Sequence, residues 1–454
     1  MSRVIIIGGM AAGASVAARL RRLRENDEII ILEKTGYISY ASCGLPYHIG
    51  DVIPEFSTLV QNSPEKLSKL LNIEVNVHQD VVSIERTKKE IQVKDLTRNH
   101  TYKLNYDYLV IATGTRVKKL PIEGMNDEDI YYLKDMEDTK RLKEYLSSRK
   151  IKSVLMLGAG FIGLEIVENL RHIGIEVSLV EMLPQVYPPF DFEMTNPLVY
   201  ELIENDVTLY LGDKIASVKK LENSYEFSLN SGKKINAEML ISSVGIVPNS
   251  EIAAQCGLQI SSRGGVIVSG FMQTNDPFIF AAGDVTDSYD YILKQNFIHP
   301  FASPTSKQAR IVADRIAGIK SNYFGSMSSY ILKLFEFTAG GVGYNEKILL
   351  REKIPYRVLY NHQNDHASYY KSPSQIHMKI LYSPADKKIL GFQAIGKNGV
   401  DKRIDAVATL ITSGGCITDL SDIEFSYAPP YNSVRDPLNN LGTMAQNVEE
   451  GRVS

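Results

Sequence analysis

The sequence has few cysteines and no long apolar run. Only Cys43, Cys256 and Cys416 occur in 454 residues, and their wide spacing fits neither a disulfide framework nor a zinc site. No stretch approaches the roughly 18 apolar residues that a membrane helix needs. The apolar run at residues 4–7 is too short for a signal peptide. We therefore expect a cytoplasmic protein with reduced thiols and no membrane partner.

The sequence also lacks an excess of either charge. It has 50 Lys and Arg against 53 Asp and Glu, for a formal net charge of −3. This balance, with no basic tail, argues against a nucleic-acid partner. A hydrophobic content of 44% is typical of folded globular proteins. Because single cores stop growing at about 250–300 residues, we expect two or three domains.

Two segments have the pattern of a dinucleotide-binding βαβ unit. Each has a short apolar strand, a glycine fingerprint (residues 8–13 and 158–163), a helix, and a second strand that ends in Glu33 or Glu181. Such glycines allow a tight turn, the helix N-terminus binds a pyrophosphate, and the acid accepts hydrogen bonds from a ribose. In the first copy Met10 holds the place of the second fingerprint glycine, unless Gly9 serves with a shifted turn.

Other segments indicate further parts of the same architecture. Apolar strands end at glycines near residues 112–114 and 245, and a third delivers Gly283 and Asp284 at its carboxyl end, where ligands of open α/β sheets bind. From about Tyr323 the pattern changes to β-branched runs and turns, followed by a helical pattern at 400–413. This change predicts a separate C-terminal α+β domain.

The most diagnostic segment surrounds Cys43. Residues 39–47 read Ser-Tyr-Ala-Ser-Cys-Gly-Leu-Pro-Tyr and match the pattern Ser-x-x-x-Cys-x-x-Pro-Tyr. With the two fingerprints, the whole chain resembles the flavoprotein pyridine nucleotide-disulfide oxidoreductases, and within them the coenzyme A-disulfide reductases and related single-cysteine NADH oxidases and peroxidases. The resemblance implies an α/β fold with two Rossmann-like domains and a C-terminal α+β dimerisation domain. It places an FAD domain at 1–115 and 248–322, an NAD(P)H domain at 116–247 and a dimerisation domain at 323–454.

The resemblance also implies FAD and NADH or NADPH as cofactors. Expected flavin contacts are Gly8, Gly9, Ala12, Gly13, Glu33, Gly283 and Asp284. Expected nucleotide contacts are Gly158, Gly160, Phe161, Ile162, Gly163, Glu165 and Glu181. Further cofactor contacts are expected at Ala112, Thr113, Gly114 and Gly245. The Phe161 ring should cover the flavin until nicotinamide displaces it. Because Glu181 would repel a 2′-phosphate and residues 182–185 offer no cation, we expect NADH over NADPH.

Cys43 is the expected nucleophile. It precedes a helix start with Pro46 in the first turn, and a helix N-terminus should stabilise its thiolate. Its partner sulfur must come from outside the chain, so thiolate, sulfenic acid and a mixed disulfide with a small thiol are the candidate resting states. The related oxidases and peroxidases have a histidine at the position of Met10. Methionine transfers no proton, which favours disulfide reduction and leaves an NADH oxidase or peroxidase as the alternative.

The expected substrate is coenzyme A or its disulfide. Ser15, Arg19 and Arg22 share one face of the first helix, and arginine suits phosphate. The resemblance implies substrate contacts at Ser15, Arg19, Arg22, Ser39, Ser42 and His299, and at Arg435 across a dimer. It also implies that Tyr369 and Tyr427 of a partner chain act as general acids or bases, and hence a homodimer. No metal site is expected. The sequence ends without a sulfurtransferase-like segment, which favours the disulfide over a persulfide.

Overall fold

The computed structural model describes residues 1–453. The helices are α1 (Ala11–Leu23), α2 (Leu45–Ile49), α3 (Pro64–Leu71), α4 (Met136–Arg149), α5 (Phe161–His172), α6 (Asn196–Glu204), α7 (Glu251–Gln255), α8 (Ala302–Ile316), α9 (Glu346–Arg351), α10 (Val400–Thr412) and α11 (Pro437–Glu449).

The strands up to the third major sheet are β1 (Arg3–Ile7), β2 (Glu28–Leu32), β3 (Glu74–Asn76), β4 (Gln79–Glu85), β5 (Glu90–Asp95), β6 (His100–Asn105), β7 (Tyr108–Ile111), β8 (Thr115–Val117), β9 (Ile130–Tyr131), β10 (Ser153–Leu157), β11 (Glu176–Glu181), β12 (Val207–Leu211), β13 (Ile215–Lys220), β14 (Tyr225–Leu229), β15 (Lys234–Ala237), β16 (Met239–Ser242), β17 (Ile246–Pro248), β18 (Val266–Ile267), β19 (Ile279–Ala281), β20 (Thr286–Asp290) and β21 (Gln295–Phe297). The C-terminal strands are β22 (Tyr330–Leu334), β23 (Phe337–Gly343), β24 (Arg357–Asn364), β25 (Gln375–Tyr382) and β26 (Ile389–Gly396).

The first sheet is parallel and has the strand order β19-β7-β1-β2-β3. Its central strands β1 and β2 are apolar runs buried almost throughout, as expected for a parallel sheet covered on both faces. The chain leaves this sheet after β7, builds a second sheet, and returns with β19, which pairs with β7 in the register Ile279↔Leu109. The carboxyl ends of β1, β7 and β19 therefore meet at one edge.

The second sheet is also parallel, with the order β12-β11-β10-β16-β9. Alternate residues of β10 enter two cores, Val154 and Met156 on one face and Leu155 and Leu157 on the other. This alternation follows from the two-residue period of a strand. The first of these two cores continues into the C-terminal sheet, because it includes residues of β22, β23 and β26.

The C-terminal sheet is antiparallel, with the order β22-β23-β26-β25-β24, and α10 and α11 contribute to the core it buries. The two parallel sheets and this α+β unit confirm the predicted fold class, and α10 lies where the helical pattern predicted it. The residue limits of the three domains stay predictions. No helix in the described part of the chain is long and apolar enough to cross a membrane.

Candidate functional site

The two glycine fingerprints adopt the same backbone conformation. Gly8 has φ 105° and Gly158 has φ 102°, in the region that favours glycine. A Cβ on Gly13 would lie 1.9 Å from the Gly8 carbonyl oxygen, and one on Gly163 would lie 2.0 Å from that of Gly158. Each helix can therefore approach its strand only because a glycine stands at this position.

The two acidic residues are also held in the same way. Glu33 accepts the N–H of Gly9 at 2.8 Å, and Glu181 accepts the N–H of Ala159 at 2.8 Å. The other carboxylate oxygen of each accepts the N–H two residues further along, again at 2.8 Å. Both carboxylates are buried, at the position where a ribose-binding acid follows the second strand of a dinucleotide fold.

Met10 occupies the place of Gly160 without a shift of the turn. Both residues are N-caps with φ −79°, and neither helix has a side-chain cap. A φ of −79° is open to any residue, so the backbone itself does not require glycine here. Gly9 therefore does not take over the role of the second glycine, and Met10 lines the cavity described below.

A cavity of about 800 Å³ opens at the carboxyl edge of the first sheet. The expected cofactor and substrate residues in its wall are Gly8, Ala12, Glu33, Ser42, Cys43, Ala112, Thr113, Gly114, Gly283 and Asp284. Gly9 and Gly13 belong to the same fingerprint turn. The Gly9 N–H is bound to Glu33, and Gly13 packs against the Gly8 carbonyl group. The sequence-predicted flavin residues, taken from four separate segments, therefore converge on one cavity.

Long-range hydrogen bonds hold two of these segments. Thr113 Oγ1 donates to the Asn249 carbonyl oxygen at 2.7 Å, and Asn249 Nδ2 donates to the Thr113 carbonyl oxygen at 2.9 Å. The Gly283 N–H donates to Gln308 Oε1 at 2.8 Å, with φ 87° at the glycine. Burial raises the pKa of the neighbouring Asp284 carboxyl. The loops are fixed by partners that lie more than 20 residues away.

Cys43 is an exposed residue of a 3-10 turn, Ser42–Gly44, directly before α2. The predicted helix start with proline in its first turn is present. Partial desolvation by the surrounding wall, followed by the Glu165 and Asp284 carboxylates, raises the pKa of the Cys43 thiol and so opposes the predicted stabilisation of the thiolate. A hydrogen bond from Ser42 offsets this rise only in part.

Glu165 connects the second nucleotide unit to the cysteine. It lies one helical turn after Phe161 on α5, which packs against α2. The two helices lie close together, since a Cβ on Gly50, the residue that follows α2, would lie 2.3 Å from Oδ1 of Asn169 on α5. Burial, assisted by Glu168, raises the pKa of Glu165 to about 7. Its carboxyl therefore titrates near neutral pH beside Cys43.

Phe161 lies in an aromatic cluster at the border between the two units. Its ring meets Tyr187, Tyr330 and Phe301 edge-on, with centroid distances of 5.0, 5.8 and 6.1 Å. Phe301 also lines the cavity, so Phe161 lies next to it. The neighbouring Ile162 is exposed, and Gly245, also exposed, has φ 115°.

Comparison with known proteins agrees with this architecture. The family model for pyridine nucleotide-disulphide oxidoreductase matches residues 2–306, and the model for the dimerisation domain of the same family matches residues 331–437. The chain belongs to the pyridine nucleotide-disulphide oxidoreductase family. Members of this family use FAD and NAD(P)H.

Three relatives illustrate the match. The coenzyme A disulfide reductase of Staphylococcus epidermidis is 30% identical over 447 residues, 98% of this chain and 100% of the relative. Reduced Bacillus anthracis CoADR-RHD is 40% identical with a TM-score of 0.96, and covers all of this chain and 81% of its own. An NAD-dependent persulfide reductase from A. fulgidus is 32% identical with a TM-score of 0.95, over all of this chain and 84% of its own.

The expected phosphate contacts of this oxidoreductase differ in their surroundings. Ser15 and Arg22 are exposed on α1, whereas Arg19 Nη2 lies 2.5 Å from Oδ1 of Asp314, a buried carboxylate of α8. Ser39 lies in the left-handed region with φ 45°, and its hydroxyl accepts a hydrogen bond from an asparagine at 3.2 Å. The structure therefore places Arg19 against a carboxylate of its own chain.

His299 is buried, with 3% of its surface exposed. Its Nδ1 lies 3.0 Å from Ser328 Oγ and its Nε2 lies 3.4 Å from Asp290 Oδ2. Desolvation lowers the pKa of the ring to about 4. The ring therefore lies outside the cavity wall, although the next residue, Pro300, lines it. The prediction that His299 contacts substrate gains no support from this placement.

Tyr369 and Tyr427 form a pair. Their hydroxyl oxygens are 2.5 Å apart, and this hydrogen bond raises the pKa of Tyr427. Neither lines the cavity of its own chain. Arg435 is exposed on the same unit and donates to the Thr443 hydroxyl.

Sequence reasoning missed several residues of the cavity wall, among them Lys134 and Thr35. Lys134 donates from Nζ to Thr115 Oγ1 at 2.8 Å and opposes the rise in the pKa of Asp284. It precedes α4, far along the chain from Asp284, so no local pattern indicates it. Thr35 donates its N–H and hydroxyl to Glu33 at 2.8 and 2.9 Å, and its place two residues after the acid could have signalled it.

Proposed function

We propose that this enzyme reduces coenzyme A disulfide to two coenzyme A thiols at the expense of NAD(P)H, with NADH favoured. The observation that carries the proposal is that Cys43 is the one cysteine in the cavity wall, where the carboxylates of Asp284 and of Glu165 on α5 both act on its thiol. A single thiol needs a second sulfur from its substrate. Relatives named coenzyme A disulfide reductase that align over 98% of the chain support this substrate class.

The cavity at the carboxyl edge of the first sheet has the features that FAD requires. The first turn of α1 is uncapped by side chains and contains no acidic residue, so its free amides can face a pyrophosphate. Gly13 allows the close approach of strand and helix, and Glu33 lies where a ribose hydroxyl would donate. When bound, FAD supplies the two-electron chemistry between nicotinamide and sulfur.

Cys43 performs the sulfur chemistry. Its thiolate attacks one sulfur of coenzyme A disulfide, the S–S bond of the substrate breaks, and one coenzyme A thiolate leaves while the other half stays bound to Cys43 as a mixed disulfide. Because the surroundings raise the pKa of Cys43, the attack accelerates as pH rises. The leaving thiolate takes a proton from the hydrogen-bonded Tyr369 and Tyr427 pair of a partner subunit in a homodimer.

Glu181 accounts for the nucleotide preference. Its carboxylate is held by two backbone N–H groups and can accept hydrogen bonds from a ribose hydroxyl, but would repel a 2′-phosphate. Met182 and Leu183 follow it and are both exposed apolar residues. No cation in residues 182–185 compensates the repulsion.

The phosphates of coenzyme A are expected on the exposed face of α1 and near the cysteine. Ser15, Arg22, Ser39 and Ser42 are the contacts within the chain, with Arg435 from the partner subunit. Arg19 can join them only by sharing its guanidinium with Asp314. Because Arg19 is neutralised by this buried carboxylate, we expect Arg22 to contribute more to phosphate binding.

A comparison of electron acceptors tests the proposal. Purified enzyme with FAD is given NADH and, separately, coenzyme A disulfide, dioxygen or hydrogen peroxide, and both NADH loss and free thiol are measured. We expect two thiols per NADH with coenzyme A disulfide and slow oxidation with the other acceptors. Rapid aerobic NADH oxidation without disulfide would instead identify an oxidase, and the same result with peroxide would identify a peroxidase.

A further inference from the structure

The tyrosine pair is carried by two separate loops. Tyr369 belongs to the 365–374 loop between β24 and β25, and Tyr427 belongs to the 422–436 segment before α11. Within one chain the two side chains are 74% and 44% exposed, so packing inside that chain contributes little to their positions. Within the chain, the relative position of the two phenols therefore depends on the contacts that hold the two loops together.

Arg403 of α10 contacts both loops from below. It is 1% exposed. Its Nη2 donates to the Asp365 carbonyl oxygen at 3.0 Å, to Asn432 Oδ1 at 3.3 Å and to Asp436 Oδ2 at 3.0 Å. Its Nη1 donates to the Gly399 carbonyl oxygen of its own helix start at 3.1 Å. One buried guanidinium thus joins the beginning of the Tyr369 loop to the end of the Tyr427 segment.

The Tyr369 loop transmits this contact through Asp365. The Asp365 carboxylate accepts the Ser374 N–H at 3.1 Å and the Ser374 hydroxyl at 2.7 Å, which closes the loop at its two ends. His366 lies between the Asp365 carboxylate, 2.6 Å from Nδ1, and the Lys371 carbonyl oxygen, 3.0 Å from Nε2. The loop is therefore a small closed unit whose base rests on Arg403.

The Tyr427 segment transmits it through Asn432 and Asp436. The Asn432 N–H donates to the Ala428 carbonyl oxygen at 3.1 Å, and its Nδ2 lies 3.4 Å from the Ser426 carbonyl oxygen. These bonds fold the turn that contains Tyr427. Asp436 is buried, caps α11 by accepting the Leu438 N–H at 2.8 Å, and pairs with Arg403.

We propose that Arg403 is a positioning residue that holds Tyr369 and Tyr427 at hydrogen-bonding distance for proton transfer to the leaving thiolate. The inference rests on the proposed function of the pair. The planar guanidinium meets acceptors on both loops at once, whereas the ammonium of lysine is a single point charge on a flexible stem. Loss of the guanidinium frees the two loops from each other, while the phenols themselves stay intact.

The test compares Arg403→Lys with the wild type and with Tyr427→Phe. For Arg403→Lys we expect the kcat for coenzyme A disulfide to fall about tenfold or more, and the rate of flavin reduction by NADH to change less than twofold. Because the residue acts through the tyrosines, the double variant with Tyr427→Phe should be no slower than Tyr427→Phe alone. The matched control is Arg357→Lys, since Arg357 pairs with Glu449 at the other end of α11 and contacts neither tyrosine loop.

A second measurement tests, without turnover, whether Arg403 holds the two loops together. Hydrogen exchange in the folded Arg403→Lys protein should accelerate about tenfold in both 365–374 and 422–436, and in neither segment of Arg357→Lys. If Arg403→Lys does not fold, Arg403→Gln, which also lacks the guanidinium, is measured in its place. Wild type that fails to reduce coenzyme A disulfide overturns the proposed function only. Three results would overturn the role of Arg403. These are a normal kcat for the disulfide in the folded Arg403 variant, rate losses that simply add to those of Tyr427→Phe, and unchanged exchange in either loop.

Discussion

The two βαβ units have nearly the same geometry and different neighbours. Both place a glycine near φ 100°, an acid 2.8 Å from the second fingerprint amide and a helix against its strand with no space for a Cβ. Helix α1 packs against α8, whereas α5 packs against α2 and β22. The backbone thus specifies two dinucleotide sites, and the tertiary partners of each helix determine what lies beside them.

Equivalent helix positions show what this difference does. Ser15 and Glu165 both stand two residues after the last fingerprint glycine. Ser15 is exposed on α1, while Glu165 is half-buried beside the Cys43 turn with a pKa of about 7. The repeat alone predicts the same environment for both. The packing of α5 on α2 instead brings the second unit to Cys43.

The largest expected effects come from the third fingerprint glycine of each unit. Gly13→Ala and Gly163→Ala both force a Cβ to within about 2 Å of a carbonyl oxygen, which we expect to cost more than about 3 kcal/mol locally. Gly13→Ala should abolish FAD retention, measured as flavin absorbance per chain. Gly163→Ala should retain FAD and lose its reduction by NADH. Loss of FAD from both variants would show that the two sites are not independent.

Replacing each of the two acids by glutamine should affect the binding of one cofactor only, and by less than the glycine variants do. Glu33→Gln and Glu181→Gln each remove a charged hydrogen-bond acceptor, worth about 1–3 kcal/mol. We expect roughly tenfold or greater weakening of FAD binding in the first, by equilibrium dialysis. In the second we expect a higher KM for NADH and a lower KM for NADPH, because the repulsion of the 2′-phosphate is removed. Unchanged preference in Glu181→Gln would exclude this carboxylate as its cause.

Glu165→Gln tests the link between α5 and the cysteine through pH. A pKa raised from 4.5 to about 7 means that the folded state keeps a proton which the unfolded state has released. As the pH rises from 4.5 to 7, the free energy of unfolding of the wild type should therefore decrease relative to that of Glu165→Gln. Removing the carboxylate should also lower the pKa of Cys43, so that iodoacetamide alkylates Cys43 faster at pH 7. Equal alkylation rates would place Glu165 outside the electrostatic reach of the thiol.

The smallest effect is expected at Met10→Gly, which makes the two fingerprints alike. Because φ is −79° at both positions, the exchange relieves no backbone strain and should change the melting temperature by only about 1–2 °C. FAD affinity should stay within about threefold. A large gain in affinity would mean that the Met10 side chain obstructs the flavin cavity.

Local patterns predicted the parts of the site that depend on short sequence spacing. The fingerprints, Glu33, Glu181 and the proline after Cys43 lie where the patterns placed them, because turns and helix starts are decided by neighbouring residues. The pattern could not show that Arg19 pairs with Asp314 or that His299 is buried, since these partners come from distant elements. The raised pKa of Cys43 escaped prediction for the same reason.

The central claim is that Cys43 takes its partner sulfur from coenzyme A. Wild type and Cys43→Ser are incubated with one equivalent of coenzyme A disulfide and digested without reductant, and the Cys43-containing peptide is weighed by mass spectrometry. We expect an adduct of coenzyme A mass on wild-type Cys43 that NADH removes, and no disulfide turnover in Cys43→Ser. Full turnover in Cys43→Ser, or an adduct confined to Cys256 or Cys416, would contradict the account.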